Sequence, residues 1–162
     1  MPSTRKKMRG KDAVFASLAD FYVTLNGNRY NVMQAINFES RLAINNREVP
    51  VLGFTILQHK AGVSKGTWSA TVYYNTSIFR AWLLHFKDTG ELIPFECEAV
   101  NEDPSSDAGS QKITHTGCLI DNATLAKMIA GEDILTEDLS GTFDDWDMPQ
   151  EFDLLPGMTS TP

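Results

Sequence analysis

A mainly β domain, a sandwich or barrel-like sheet with one flanking α-helix, is the fold that this 162-residue chain predicts. Three observations carry that reading. Residues 32–44, VMQAINFESRLAI, alternate with period two over a longer stretch than an ordinary strand covers. Asn26-Gly27 is a two-residue hairpin signal, because both residues tolerate positive φ. One clear helical stripe follows a capping stretch, with Phe79, Trp82, Leu83 and Phe86 on one side. At 42% hydrophobic residues the chain can bury a single modest core.

Taken in order, residues 1–12 read as a mobile arm, and 13–19 as a short helix or a docked continuation of it. FYVTL (21–25) is a strand, Asn26-Gly27 turns it, and the return strand starts at Arg29 and runs on toward Ile44. Its faces are Val32, Ile36, Phe38, Leu42 and Ile44, with Gln34 and Ser40, against Met33, Ala35, Asn37, Glu39, Arg41 and Ala43. Residues 45–65 form a loop or long hairpin arm. Their apolar residues have no reason to be there unless the segment folds back or another subunit buries it. The next strand puts Trp68, Ala70, Val72 and Tyr74 on one face and Thr67, Ser69, Thr71 and Tyr73 on the other. Thr76 or Ser77 caps the helix, and Gly90 stops it. Strands follow at 92–100, 112–122 and 135–143. Residues 123–134 fit either a helix or a strand, and the segment after Asp144 reads as turn and fraying tail. The domain plan is an arm at 1–18, a main domain at 19–152 and a tail at 153–162.

Charge and chemistry exclude several functions. The formal charge of -7 argues against a protein that grips nucleic acid by neutralising phosphates. Arg5, Lys6, Lys7, Arg9 and Lys11 make one end basic, and the stretch from Glu132 to Asp153 is acidic without a single base. Attraction between the two, within or between copies, predicts assembly that weakens as salt rises. Cys97 and Cys118 read as buried thiols. No signal peptide, membrane-crossing segment or membrane anchor is expected. GVSKGT (62–67) lacks the lysine placement and following helix of a phosphate loop. His115 and Cys118 fall on opposite strand faces, which disfavours a shared metal. The DDWD run (144–147) lacks calcium-loop spacing and reads as a solvated acidic edge. His59, His85 and the hydroxyls Ser64, Ser69 and Ser77 show no base-and-orienter pattern. No enzyme, cofactor or metal site is expected.

Residues 32–79 carry a family resemblance. His59, Lys60, Gly62, Gly66, Thr67, Ala70 and Thr71 stand in an order and spacing similar to those of the tail tube proteins of contractile-tailed phages and defective prophages of the PBSX-like group. Thr76, Ser77 and Phe79 match the helix start, and Phe143, Asp145, Asp147 and Pro149 match a late signature. The resemblance covers about residues 20–152, and the basic head is longer than in the look-alikes. It implies a self-assembling structural protein of a phage tail or bacteriocin-like particle, made in the bacterial host cytoplasm. Six copies would form a ring, and rings would stack into a hollow tube inside a contractile sheath. The implied partners are further copies, the sheath protein, baseplate or tube-initiator proteins, a tail terminator and the tape measure protein, with DNA only as passing cargo.

In that picture the arm at 45–65 reaches the adjacent ring, with contacts expected at Val51, Leu52, Phe54, Ile56, Leu57, His59 and Lys60. The wetter strand faces, with Asn37, Glu39, Arg41, Thr67, Ser69 and Thr71, are expected to line the lumen. The alternatives are a tail accessory or completion protein that forms one ring and stops, and a ligand-binding β-domain using Trp68, Trp82 or Trp146.

Overall fold

The computed structural model describes residues 7–15, 19–32, 35–131, 134–155 and 157–158. Its elements in chain order are β1 (Ala19–Leu25), β2 (Asn28–Asn31), β3 (Ala35–Val49), β4 (Gln58–Tyr73), α1 (Ile78–Thr89), β5 (Phe95–Glu102), β6 (Ser110–Ala123), β7 (Thr136–Phe143) and β8 (Asp145–Gln150), after a 3-10 turn at Gly10–Asp12. The chain divides into two units. The first takes Met1–Met33, Phe95–Thr116 and Trp146–Pro162, and the second takes Gln34–Pro94 and Gly117–Asp145.

In the first unit the hydrogen-bonded order is β2-β1-β5-β6, and β8 also pairs with β6. The expected Asn26-Gly27 turn is present, with φ of 50° and 81°. Phe21, Val23 and Leu25 of β1 are buried with Phe95 and Cys97 of β5, and Val23 stands opposite Cys97 in the ladder. On the other side of β1, Arg29 covers the Tyr22 ring and donates to Glu98 at 2.8 Å. The described part of the basic head is tied down rather than loose. Lys11 pairs with Asp107 at 2.7 Å, and the Phe15 amide donates to Asp103 at 3.1 Å. Asp103 also accepts from the Ser105 hydroxyl and amide. These bonds, the Ser105 hydroxyl foremost, hold its carboxyl below the ordinary value. Arg5, Lys6, residues 16–18, Met33, Gln34, Glu132 and Asp133 lie outside the described residues.

In the second unit the order is β6-β7-β4-β3. Trp68, Ala70, Val72, Leu139, Phe143, Ile120 and Cys118 fill its core with Phe79 of α1. The helix begins at Ser77 without a side-chain cap, although the Thr76 hydroxyl accepts from the Ile78 amide at 3.4 Å. It ends at Gly90, whose φ is 74°. Only one side of it is covered: Trp82 and Leu83 are half-buried, while Leu84 and Phe86 are exposed.

Four expectations need correction. The barrel-like part of the expected fold is wrong, because the strand path has two ends, β2 and β3, and is not closed. Closure would need the first and last strands to pair, and here they have 4 and 15 residues. Period-two alternation reports which side of a strand is dry, and an open sheet produces it as well as a closed one. Second, the long strand starts at Ala35, not in the return arm of the hairpin. β2 pairs with β1, whereas β3 pairs with β4. Third, Asp145–Gln150 is a strand, not a turn. Pairing with β6 overrides its poor strand propensity, and a proline is tolerated there as it is on other edge strands. Fourth, residues 123–134 form neither a helix nor a strand of their own beyond Ala123 among the described residues.

Cys97 and Cys118 are buried thiols, as expected. His115 and Cys118 are both buried despite their odd spacing. Gly117 lies between them at φ 66°, a conformation that interrupts the alternation. Burial holds the His115 imidazolium form down, opposed only by a bond involving the Cys97 backbone.

Candidate assembly surface

Two surfaces of the second unit carry the expected site residues. The first is the β3–β4 hairpin. β7 pairs with β4 only from Gly66 onward, so among the described residues β3 is the one strand paired with residues 58–65. From the Leu42–Gly66 pair to the Val49–Gln58 pair the ribbon extends about 23 Å at ordinary strand rise. Every residue from 41 to 65 is exposed. Val51, Leu52, Phe54, Ile56 and Leu57 crowd the tip, and Leu52 is 100% exposed. His59 stands opposite Glu48, and Lys60 opposite Arg47. Val63, 81% exposed, extends the apolar surface along the ribbon and was not among the expected contacts. An isolated two-stranded ribbon is marginal in water, and an apolar tip makes it worse. Such an element is stable and soluble once something covers it.

The second surface is one face of the sheet. Asn37 pairs across to Thr71, and Thr71 to Asp138. Glu39 pairs to Ser69, Ser69 to Ser140, and Ser140 to Asn122. Arg41 pairs to Thr67, and Thr67 to Thr142. The six residues expected on a wet face therefore share one side, with hydroxyls and amides arranged in rows. Thr71 donates to Asp138 at 2.8 Å, Ser140 to Asp121 at 3.0 Å, and Arg41 to Glu39 at 2.5 Å. A shallow depression of about 710 Å³ runs over Asn37, Glu39, Ser69, Thr71, Asp138 and Ser140. The intervening rows, such as Phe38–Ala70–Leu139 and Ser40–Trp68–Gly141, form the opposite side of the strands.

Asn122, Asp138, Ser140 and Thr142 complete this face and were missed in the sequence. The signal was present, since TEDLSGTF alternates polar residues with Leu139, Gly141 and Phe143. What was missing was the register that sets Asp138 beside Thr71.

Neither surface has the arrangement of a catalytic centre. Among the described residues no group of three or more His, Cys, Asp or Glu could hold a metal ion. No described helix is long and apolar enough to cross a membrane. A projecting ribbon with an apolar tip, a hydroxyl-lined sheet face, and a strand path that ends at β2 and β3 among the described residues are features that suit a structural protein. The chain belongs to the phage tail tube protein family, whose model matches residues 6–150. It is thus a structural component of a phage tail or phage-tail-like particle of a bacterial host.

The comparisons agree with that membership. The chain is 31% identical over 114 residues to the phage-like element PBSX protein XkdM of Bacillus subtilis (strain 168), covering 70% of this chain and 78% of that one. Its fold is similar to a chain in the tube-terminating cap of the anti-feeding prophage, with TM-score 0.66, 10% identity, and coverage of 93% of this chain and 99% of the other. It is also similar to a chain in the PVC sheath–tube complex of an extracellular contractile injection system in its extended state. There the TM-score is 0.62 at 10% identity, covering 81% of this chain and 88% of the other. At those identities the likeness shows the fold alone.

Proposed function

We propose that the protein forms six-membered rings that stack into the hollow inner tube of a contractile phage tail or a tail-like particle. The exposed β3–β4 ribbon is the observation that carries this reading. Val51, Leu52, Phe54, Ile56, Leu57, His59 and Lys60 contact the adjacent ring. Among the described residues the strand path ends at two unlike edges, β2 and β3, which favours head-to-tail association; such contacts form a ring where the rotation between copies closes. The row-like polar face, with Asn37, Glu39, Arg41, Thr67, Ser69 and Thr71, lines the lumen. Its carboxylates suit a wall that DNA or other cargo passes without sticking. The sheath protein binds outside, baseplate or initiator proteins begin the tube, a terminator ends it, and the tape measure protein is a further partner.

Negative-stain electron microscopy of the purified chain, alone and with its baseplate initiator, tests the reading. Hollow tubes of stacked six-fold rings are expected. Single rings that never stack would favour the accessory-protein alternative, and a persistent monomer would overturn both.

Two substitutions separate the surfaces. Leu52→Asp with Phe54→Asp removes apolar surface that the isolated chain leaves in water. Its unfolding free energy is expected to stay within about 0.5 kcal/mol of the parent, while tubes disappear. Equal loss of folding would show that the tip is part of the core. Glu39→Lys breaks only an exposed pair with Arg41, whose side chains are 56% and 77% exposed, a cost of roughly 0–1 kcal/mol. Tubes of normal diameter should form from it. Failed ring assembly would remove Glu39 from the lumen.

A further inference from the structure

The hairpin ribbon carries a charge arrangement that its own chain does not explain. Arg47 and Lys60 are direct cross-strand neighbours. Like charges so placed repel and destabilise a ladder. Neither has an ion-pair partner among the described residues. The chain also carries the complementary surface. All six residues of β8 are exposed. From Asp144 to Asp153 there are five carboxylates and no base. β8 hydrogen-bonds to β6 and stands off the main strand path. Asp147 accepts only from the neighbouring Met148 amide, and neither it nor Glu151 is in an ion pair among the described residues.

We propose that the Arg47–Lys60 ribbon of one copy docks on β8 of a second copy, where Asp147, flanked by Asp145 and Glu151, supplies the compensating charge. The proposal rests on the tube reading, because it takes the ribbon to be the element that joins one ring to the next. Each copy has one ribbon and one β8, so the contact is head-to-tail and repeats without limit. Arg47 brings a planar fork suited to a carboxylate, and Lys60 brings a point charge beside it. The apolar tip then acts as an anchor, and the charges set where along the neighbour it lands.

The test uses full-length chains and sedimentation of tubes at fixed concentration. Arg47→Glu with Lys60→Glu, and separately Asp147→Lys with Glu151→Lys, should each reduce the pelleted fraction at least tenfold while leaving the far-ultraviolet circular dichroism unchanged. Mixing the two variants should restore tubes, since an acidic ribbon then meets a basic β8 and the reverse. All four changes in one chain should restore them too. Tubes from the ribbon variant at the parental level would overturn the proposal, as would two defective variants that neither mixing nor combination rescues. A parent chain that forms no tubes with its initiator overturns the tube reading itself, which is a separate outcome. If a reversed variant misfolds, Lys60→Cys mixed with Asp147→Cys decides instead. An intermolecular disulfide in parental-type tubes is expected, and its absence overturns the contact.

Discussion

Gly141→Ala is expected to destabilise the second unit by on the order of 3 kcal/mol or more, at the upper end of overpacking costs. Gly141 lies in β7 between Ile120 of β6 and Trp68 of β4 in the ladder. A Cβ at this position would overlap the Leu119 carbonyl oxygen and come within 2.9 Å of the Trp68 indole nitrogen. The neighbouring atom is backbone, so no side-chain rotation relieves the clash, and β6 and β7 must move apart. The Trp68 indole donates to the Thr142 carbonyl at 3.2 Å and is 4% exposed, so it has no free space to move into. Chemical denaturation should show the midpoint falling with little change in slope. A variant with parental stability would mean that the close approach at β6–β7 is absent. Gly66, which lies under the Phe143 ring, should respond more mildly, because there the obstacle is a side chain.

The second large effect is expected at the ion pair under α1. Arg80 donates to Glu137 at 2.5 Å, and their side chains are 20% and 1% exposed. The guanidinium also bonds the Thr76 carbonyl and lies 4.3 Å above the Tyr74 ring, so it clamps the start of α1 to β7. Burial pushes the Glu137 carboxyl above its ordinary value of 4.5, and Arg80 opposes that rise. Arg80→Met removes the opposition and leaves a buried carboxylate whose second oxygen already lacks a hydrogen bond. A loss of about 3–5 kcal/mol is expected near neutral pH, as for other broken buried pairs.

The pH dependence gives that loss its sign. A carboxyl whose folded pKa is raised contributes its full stability below the unfolded value and loses it as pH rises through the folded value. The deficit of Arg80→Met should therefore be small near pH 4, where Glu137 is protonated, and should grow toward neutrality. Adding Glu137→Gln should recover most of the loss at pH 7. A deficit independent of pH would show that Arg80 acts through packing on Tyr74, not through charge. His115 works the other way. Its depressed pKa means stability present above the ordinary value of 6.5 and lost as pH falls below it.

Much of the second unit was legible residue by residue. The Trp68–Ala70–Val72 face was dry as expected, because a period-two pattern next to water leaves one reading. Gly90 stopped α1 because few other residues take a positive φ at a helix end. The apolar content of 45–65 pointed to cover by something else, and those residues form an exposed ribbon. β8 was not legible. DWDMPQ has the composition of a turn, and only a neighbouring β6 makes it a strand. The burial of both His115 and Cys118 was hidden for a similar reason, since strand parity separates them unless Gly117 breaks it.

By itself the sequence determined which side of β4 and of β7 is dry, where the helix ends and that the tip of the ribbon is apolar. These follow from local spacing and side-chain chemistry within a few residues. Only the tertiary structure decided that β2 leaves β3 to pair elsewhere, that the sheet stays open, and that Asp138 and Ser140 join the rows of Thr71 and Ser69. Strand order and register depend on hydrogen bonds between residues tens of positions apart, and nothing in a local pattern specifies which of several compatible edges meets which.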